Sequence, residues 1–394
     1  MFNFEDKKLQ GLGAIITTKE IKQQPQLWQE AYQIYKDNKE QISLFIENIS
    51  KKHGQFRVIF TGAGTSAYVG NTILPYLKKK ADIRKCILES IATTNLVSNP
   101  YDFFTEDVPT LLVSFARSGN SPESIAAVNL GNQIVKDFYH LAITCASEGK
   151  LAQMTQNDEN NYLLLMPSGS NDQGFAMTGS FTCMMLSAML IFDDLDEATE
   201  KTYVDAIVEM GQSVISREDE IKELISTEFD RVVYLGSGSL CGLTQEAQLK
   251  LLELTAGKIA TGYDSPMGFR HGPKSFINEN TLIFVFVSND EYTRKYDLDV
   301  LEEIYGDKIA KSTYAISIDK EENFSGTTFG FDVKNNNLPD LYLAFPYILF
   351  AQAISLFTAV KVGNTPDTPS PSGTVNRVVK GVIIHQYQEE YKIY

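Results

Sequence analysis

The 394-residue sequence is short of cysteine, histidine, tryptophan and positive charge, with four Cys, four His, one Trp, and 35 Lys plus Arg against 50 Asp plus Glu. Each shortage removes a class of function. At a formal net charge of −15, no basic stripe outweighs the field near a phosphodiester chain, which excludes nucleic acid as a partner. Cys86, Cys145, Cys183 and Cys241 show no C-x-x-C spacing and sit in or beside apolar runs. They read as core thiols rather than disulfides or metal ligands. No His/Asp/Glu cluster has ligand spacing, so neither a metal nor an organic cofactor is expected. No charged-then-apolar leader opens the chain and no apolar run is read as long enough to span a membrane, so the expected location is the cytoplasm, with no membrane partner. What remains is an ordinary globular composition, 43% hydrophobic and 22% charged, long enough for two similar lobes.

Those lobes are legible as a repeated pattern. Residues 1–55 carry helical patterning and form a lead-in, read as packing on the first lobe. Strand–turn–helix units follow. Residues 57–60 run into Thr61-Gly62-Ala63-Gly64-Thr65-Ser66, and residues 110–115 into Ala116-Arg117-Ser118-Gly119-Asn120-Ser121. Further strands are predicted at 139–144 and 162–166, with a core helix over 178–192. The pattern restarts when residues 231–235 run into Gly236-Ser237-Gly238-Ser239, followed by a helix over 244–256, strands at 281–287 and 314–318, and an apolar helix over 341–360. Alternating strands and helices predict an α/β fold of two tandem lobes, each a parallel sheet flanked by helices in a flavodoxin-like three-layer sandwich. The expected divisions are a lead-in over 1–40, a first lobe over 41–215 and a second over 216–394.

The turn at 116–121 is the most informative segment. Pro122 suits a first helical position, and a helix N-terminus aims unpaired N–H groups at whatever lies before it. Gly119 removes the Cβ that would hold an anion off the backbone. Hydroxyls and one Arg complete what reads as a phosphate cradle. Gly64, Thr65 and Ser66 form a second such turn, at the end where parallel sheets bind ligands. That segment lacks the third glycine of a dinucleotide fingerprint, and Glu89 comes late for a ribose-binding acid. Glu253 has two readings. It is either a carboxylate among apolar residues, suited to moving protons, or the partner of Lys250 on a solvated face. His271 lies on a glycine- and proline-flanked loop beside Arg270 and Lys274, cations that oppose its protonation unless an anion sits close by. Lys380 near the C-terminus reads as solvated.

Taken together, the motifs resemble the sugar isomerase (SIS) family, most closely the galactosamine-6-phosphate deaminase/isomerases also called tagatose-6-phosphate ketose/aldose isomerases. The resemblance runs from about residue 40 to 385. It rests on Gly62-Ala63-Gly64-Thr65-Ser66, the segment 114–124, Gly174-Phe175-Ala176-Met177-Thr178, residues 249–255, Arg270-His271-Gly272-Pro273 and Asn376-Arg377-Val378-Val379-Lys380. Carried over from the isomerase half of glucosamine-6-phosphate synthase, it implies phosphate contacts at Ser66, Arg117, Ser118 and Ser121. Glu253 is implied as proton-shuttling base, His271 as ring opener and Lys380 as the imine-forming lysine. Thr178 and Arg270 are further substrate-binding candidates. Ala116, Arg117 and Ser121 depart from the family's usual Ser, Gln and Thr. An Arg brings charge-assisted hydrogen bonds that compensate a lost hydroxyl.

In that relative the ring-opening His comes from a neighbouring subunit, which implies a homodimer or larger homo-oligomer here. That relative also draws ammonia from an N-terminal glutamine-hydrolysing domain with a terminal Cys. Here no Cys precedes Cys86, so the expected direction is release of ammonia. The resemblance therefore implies deaminating isomerisation of galactosamine 6-phosphate to tagatose 6-phosphate. The alternatives are a non-deaminating isomerase of a hexose 6-phosphate and a sugar-phosphate sensor. The sensor reading is disfavoured by the presence of Glu253, His271 and Lys380 and the lack of a basic helical module.

Overall fold

Apolar runs too short for helices and bounded by turn residues make the strands, and all of them pair in parallel. The computed structural model describes residues 1–156, 158–318, 324–332, 337–379 and 381–388. The first sheet comprises β1 (Phe56–Thr61), β2 (Cys86–Ser90), β3 (Thr110–Ala116), β4 (Phe138–Thr144) and β5 (Asn161–Leu165), in the order β2-β1-β3-β4-β5. The second comprises β6 (Arg231–Gly236), β7 (Ala260–Asp264), β8 (Thr281–Phe286), β9 (Ser312–Ile318) and β10 (Thr327–Phe331), in the order β10-β9-β8-β6-β7. Read from its far end this is the same order, and it is that of flavodoxin. The α/β duplication expected from the sequence is present.

Helices cover both faces of each sheet. In the first, Thr65–Lys80 packs with Gly179–Phe192. Pro122–Ile134 covers the opposite face, where Ala127, Val128 and Ile134 join Ile59, Leu112 and Ala142. In the second, Ser239–Leu254 packs with Asp340–Lys361, and Glu291–Asp307 covers the face of Val233, Leu235, Ile283 and Val285. Register sets the ligand edge of the first sheet. Thr61 pairs opposite Ser114, so the turns after β1 and β3 open side by side.

Two features depart from the sequence reading. The helix Asp340–Lys361 is long and apolar enough by length and composition to cross a membrane, contrary to the expectation that no run qualified. Its apolar window is 94% buried in protein. Phe350 meets Phe284 at 5.8 Å, Tyr347 meets Phe286 at 5.5 Å and the sole tryptophan, Trp28, meets Phe345 at 5.5 Å. It is a core helix even though Pro346 lies inside it, in the second turn, where the missing N–H removes one internal hydrogen bond that the surrounding packing offsets.

The chain also divides into two units that are discontinuous in sequence. The first-sheet unit holds Glu30–Asp172, Gly179–Leu195 and the described residues from Val375 onward; the second-sheet unit holds Met1–Gln29, Gln173–Thr178 and Asp196–Thr374. The start of the lead-in thus belongs with the second sheet rather than the first. Burial of Trp28 and the bonds from Ile16 and Thr17 to Asp367 hold it there.

Candidate active site

The two turns of the first sheet are built by backbone constraints that only glycine meets. Gly64 sits at φ 57° directly before the helix Thr65–Lys80, and a Cβ on Gly62 would lie 2.5 Å from Ser66. Thr65 and Ser66 open the helix, nearly buried. After β3, Gly119 takes φ 64°, and its carbonyl accepts from the Leu151 N–H at 2.9 Å. Asn120 Oδ1 accepts from the Lys150 N–H at 3.1 Å. Ser121 is the N-cap of Pro122–Ile134: its Oγ accepts from the Ser124 N–H at 3.3 Å and donates to Glu123 at 3.1 Å. Its hydroxyl is therefore engaged in capping, a role the reading of Ser121 as a phosphate contact did not include.

Arg117 brings the positive charge. It is 7% exposed, and its Nη2 donates to the Arg377 carbonyl at 2.8 Å. Arg377 in turn donates through Nε to the Asp172 carbonyl at 3.1 Å. Further along, Tyr387 packs on Tyr101 with ring centroids 5.6 Å apart and joins the first core. The C-terminal motif is thus tied to the unit that carries the cradle, rather than to the second lobe where the sequence reading put it. Lys380 itself lies outside the described residues.

The second-sheet unit holds Glu253, His271, Arg270 and Thr178. Glu253 lies in the last turn of Ser239–Leu254, partly exposed, and its Oε2 accepts from Lys250 Nζ at 2.6 Å. Lys250 is 1% exposed and also lies 3.5 Å from Glu246. The pairing with Lys250 is real, but it is built into the protein rather than onto a solvated face. Oε1 of Glu253 has no hydrogen-bond partner among the described residues, which leaves one oxygen to accept a proton. Just beyond, Ala176 packs with Leu254 and Ala359. The motif 174–178, with buried Thr178, therefore lies beside the helix end that carries Glu253. Glu20 pins that motif, accepting from the Gln173 N–H at 2.5 Å and the Gly174 N–H at 3.1 Å.

His271 lies elsewhere in the same unit. It follows β7 and the turn Pro266–Phe269, whose Phe269 is buried on the Val233 and Leu235 face. Glu253 is on a helix packed with Asp340–Lys361, whose Phe350 and Tyr347 meet Phe284 and Phe286 on the opposite face. Within this unit the fold places Glu253 and His271 on opposite faces of the second sheet. His271 is exposed, and its ring has no hydrogen bond or ion pair among the described residues. Arg270 is ion-paired to Glu303 at 2.6 Å. Among the described residues no group of three or more His, Cys, Asp or Glu could hold a metal ion, and the four cysteines are unpaired.

Sequence reasoning passed over three residues. Lys250 enters the sequence reading only in one of the two alternatives for Glu253, as its partner on a solvated face, whereas the structure buries it. Glu20 and Glu303 gave no signal, because each acts on a distant segment.

No protein-family model matches the chain. It is 42% identical over 374 residues, 94% of its own length and 96% of theirs, to the D-galactosamine-6-phosphate deaminase AgaS of Escherichia coli. The chain belongs to the AgaS family. The resemblance to sugar isomerases read from the motifs is borne out. Among solved structures, the tagatose-6-phosphate ketose/aldose isomerase of Escherichia coli is 39% identical with a TM-score of 0.85, covering 94% of this chain and 97% of that one. A Clostridium novyi protein assigned the same activity is 46% identical with a TM-score of 0.91, covering 98% and 99%. The AgaS family is one of enzymes, and this chain is an enzyme with the fold of its relatives over nearly their full length.

Proposed function

We propose that this chain is a galactosamine-6-phosphate deaminase that forms tagatose 6-phosphate and ammonia. The observation that carries this reading is the 42% identity to a deaminase of that name over 94% of the chain. It is supported by the paired glycine turns and buried Arg117 at the edge of the first sheet, where backbone N–H groups and a guanidinium suit a phosphate.

In this reading Gly64, Thr65, Ser66, Arg117, Ser118 and Ser121 hold the 6-phosphate. His271 protonates the ring oxygen and the C1 aldehyde appears. Glu253 takes the C2 proton and returns it to C1 through an enolamine, leaving an imine at C2. Water adds to that imine and ammonia leaves, a hydrolytic step. Lys380 is assigned to the open-chain oxygen or to a transient imine. His271 reaches the site from a second copy of the chain in a homodimer or larger homo-oligomer, a proposal supported by its lying on the opposite sheet face from Glu253. The cytoplasm is the proposed setting, where four thiols remain reduced.

Proton transfers of this kind contribute about 10²–10⁴-fold each. Glu253→Gln is expected to lower kcat by at least that, with ammonia release from galactosamine 6-phosphate as the readout. Near-normal turnover would remove Glu253 from the mechanism. The solved relatives named as ketose/aldose isomerases favour a second reading, simple isomerisation of a hexose 6-phosphate. Purified protein that interconverts galactose 6-phosphate and tagatose 6-phosphate but frees no ammonia from the amino sugar would establish it.

A further inference from the structure

We infer that Glu303 is a positioning residue for His271, acting through the two cations that flank it. His271 sits between Arg270 and Lys274, and both reach one carboxylate on the helix Glu291–Asp307. Arg270 Nη2 lies 2.6 Å from Glu303 Oε2, and Lys274 Nζ lies 2.6 Å from Glu303 Oε1 and 2.5 Å from Asp307. One carboxylate uses both oxygens to span the five-residue arc from Arg270 to Lys274, with the histidine inside it.

The rest of the loop is held by its own backbone: the His271 N–H donates to the Gly268 carbonyl at 2.9 Å and the Ser275 N–H to the Gly272 carbonyl at 3.0 Å. Phe269 anchors the arc by burial, and the Ser265 hydroxyl caps the short turn by accepting from the Gly268 N–H at 3.1 Å. Beyond His271, Gly272 adopts φ 121°, a backbone state that side chains rarely permit. The imidazole is exposed and makes no bond of its own among the described residues. Its direction is set by the backbone on either side, and the clamp on Arg270 and Lys274 ties the side chains that flank it to the helix Glu291–Asp307. The clamp has an electrostatic side as well. Lys274, and after it Arg270, hold Glu303 below the usual carboxylate range, so it stays ionised and offsets both cations near a group that must carry a proton.

All three side chains are about one-third exposed, and ion pairs of that kind add little to global stability. The consequence is local: orientation of one catalytic group, where small displacements cost rate. Arg270 is thereby accounted for as part of the clamp.

The inference rests on the proposed ring-opening role of His271, and a double-mutant cycle separates the two. Glu303→Gln is expected to lower kcat about tenfold, leaving KM within twofold and the melting temperature nearly unchanged. In a His271→Asn background the same substitution is expected to cost no further rate, because there is no imidazole left to orient. Wild-type turnover in Glu303→Gln, or equal losses in both backgrounds, overturns the clamp while leaving the role of His271 intact. Full turnover in His271→Asn overturns the role itself, and the clamp with it. Lys274→Gln provides a second route should Glu303→Gln fold poorly: it should lose rate in the wild-type background only and raise hydrogen exchange across residues 266–276.

Discussion

The two sheets carry the same turn twice and use it for opposite ends. After β1 and after β6, the second glycine adopts φ 57°, with ψ −127° at Gly64 and −124° at Gly238. A Cβ on the first glycine would strike the following helix at 2.5 Å in one and 2.8 Å in the other. The neighbouring turns have diverged in charge. In the turn next to that of Gly64 stand Arg117 and Ser121, which caps the following helix. Beside Gly238, Ser237 donates to buried Asp297 at 2.6 Å, and Asp297 also accepts from the Ser288 N–H at 2.9 Å. Asp340 accepts from Ser288 Oγ at 2.6 Å and from the Asn289 N–H at 2.7 Å. Carboxylates thus occupy the donors that an anion would need. A shared backbone frame fixes where N–H groups point; the side chains behind it decide whether those groups meet a ligand or the protein itself.

The largest effect that would break this comparison comes from Arg117. Arg117→Ala removes the charged donor from the first edge, and kcat/KM is expected to fall about 10²-fold, the scale of a charge-assisted hydrogen bond lost with its partner. Stabilisation of the protein by inorganic phosphate in thermal melts should vanish with it. An undiminished phosphate shift would place the anion elsewhere.

Asp297 gives the next effect, on stability alone. Burial pushes its carboxyl up to about 6 from the ordinary 3.8. A raised folded value means the protonated form is favoured in the folded protein. Its stabilising contribution is therefore full below about pH 4 and lost as pH rises through about 6. Relative to Asp297→Asn, the wild type should lose on the order of 3 kcal/mol across that window. Turnover at neutral pH should differ by less than twofold. Denaturant titrations at pH 4 and pH 7 measure the first, and a change in turnover would mean the second edge is not a closed structural plug.

The smallest effect sharpens the contrast. Gly64→Ala and Gly238→Ala place a Cβ at the same positive φ with no neighbour within 4 Å. Each should cost on the order of 1–3 kcal/mol from backbone strain. Equal losses of melting temperature are expected, but a raised KM only for Gly64→Ala.

Much of this frame was legible in the sequence because β1, β3, β4, β6, β8 and β9 are apolar runs ending in turn residues. The strands that escaped are at or near sheet edges. β7 reads Ala-Thr-Gly-Tyr-Asp, with Tyr263 46% exposed, and its short mixed pattern carries no period. The helix predicted from Thr244 begins at Ser239, because the Gly/Ser turn feeds directly into it. In the site, glycines before helices announce both first-sheet turns, whereas the burial of Lys250, which decides between the two readings of Glu253, is not legible. Pattern shows which residues share a helix face, but not that the face is covered by Asp340–Lys361. Glu303 was invisible for a related reason. A charged residue on a helix looks alike whether it meets water or clamps a loop more than thirty positions away.

The helix Asp340–Lys361 also bears on how the protein is made. The second-sheet unit takes its first residues from Met1–Gln29 and its central packing from a segment more than 300 positions later. A growing chain must therefore hold Trp28 and the face of β8 unsatisfied until the helix Asp340–Lys361 has been made. The greasy segment that finally covers them resembles a membrane anchor as it leaves the ribosome. Chains stalled or cleaved before residue 340 should clump and engage chaperones, which makes the wait for that helix the vulnerable interval for this enzyme.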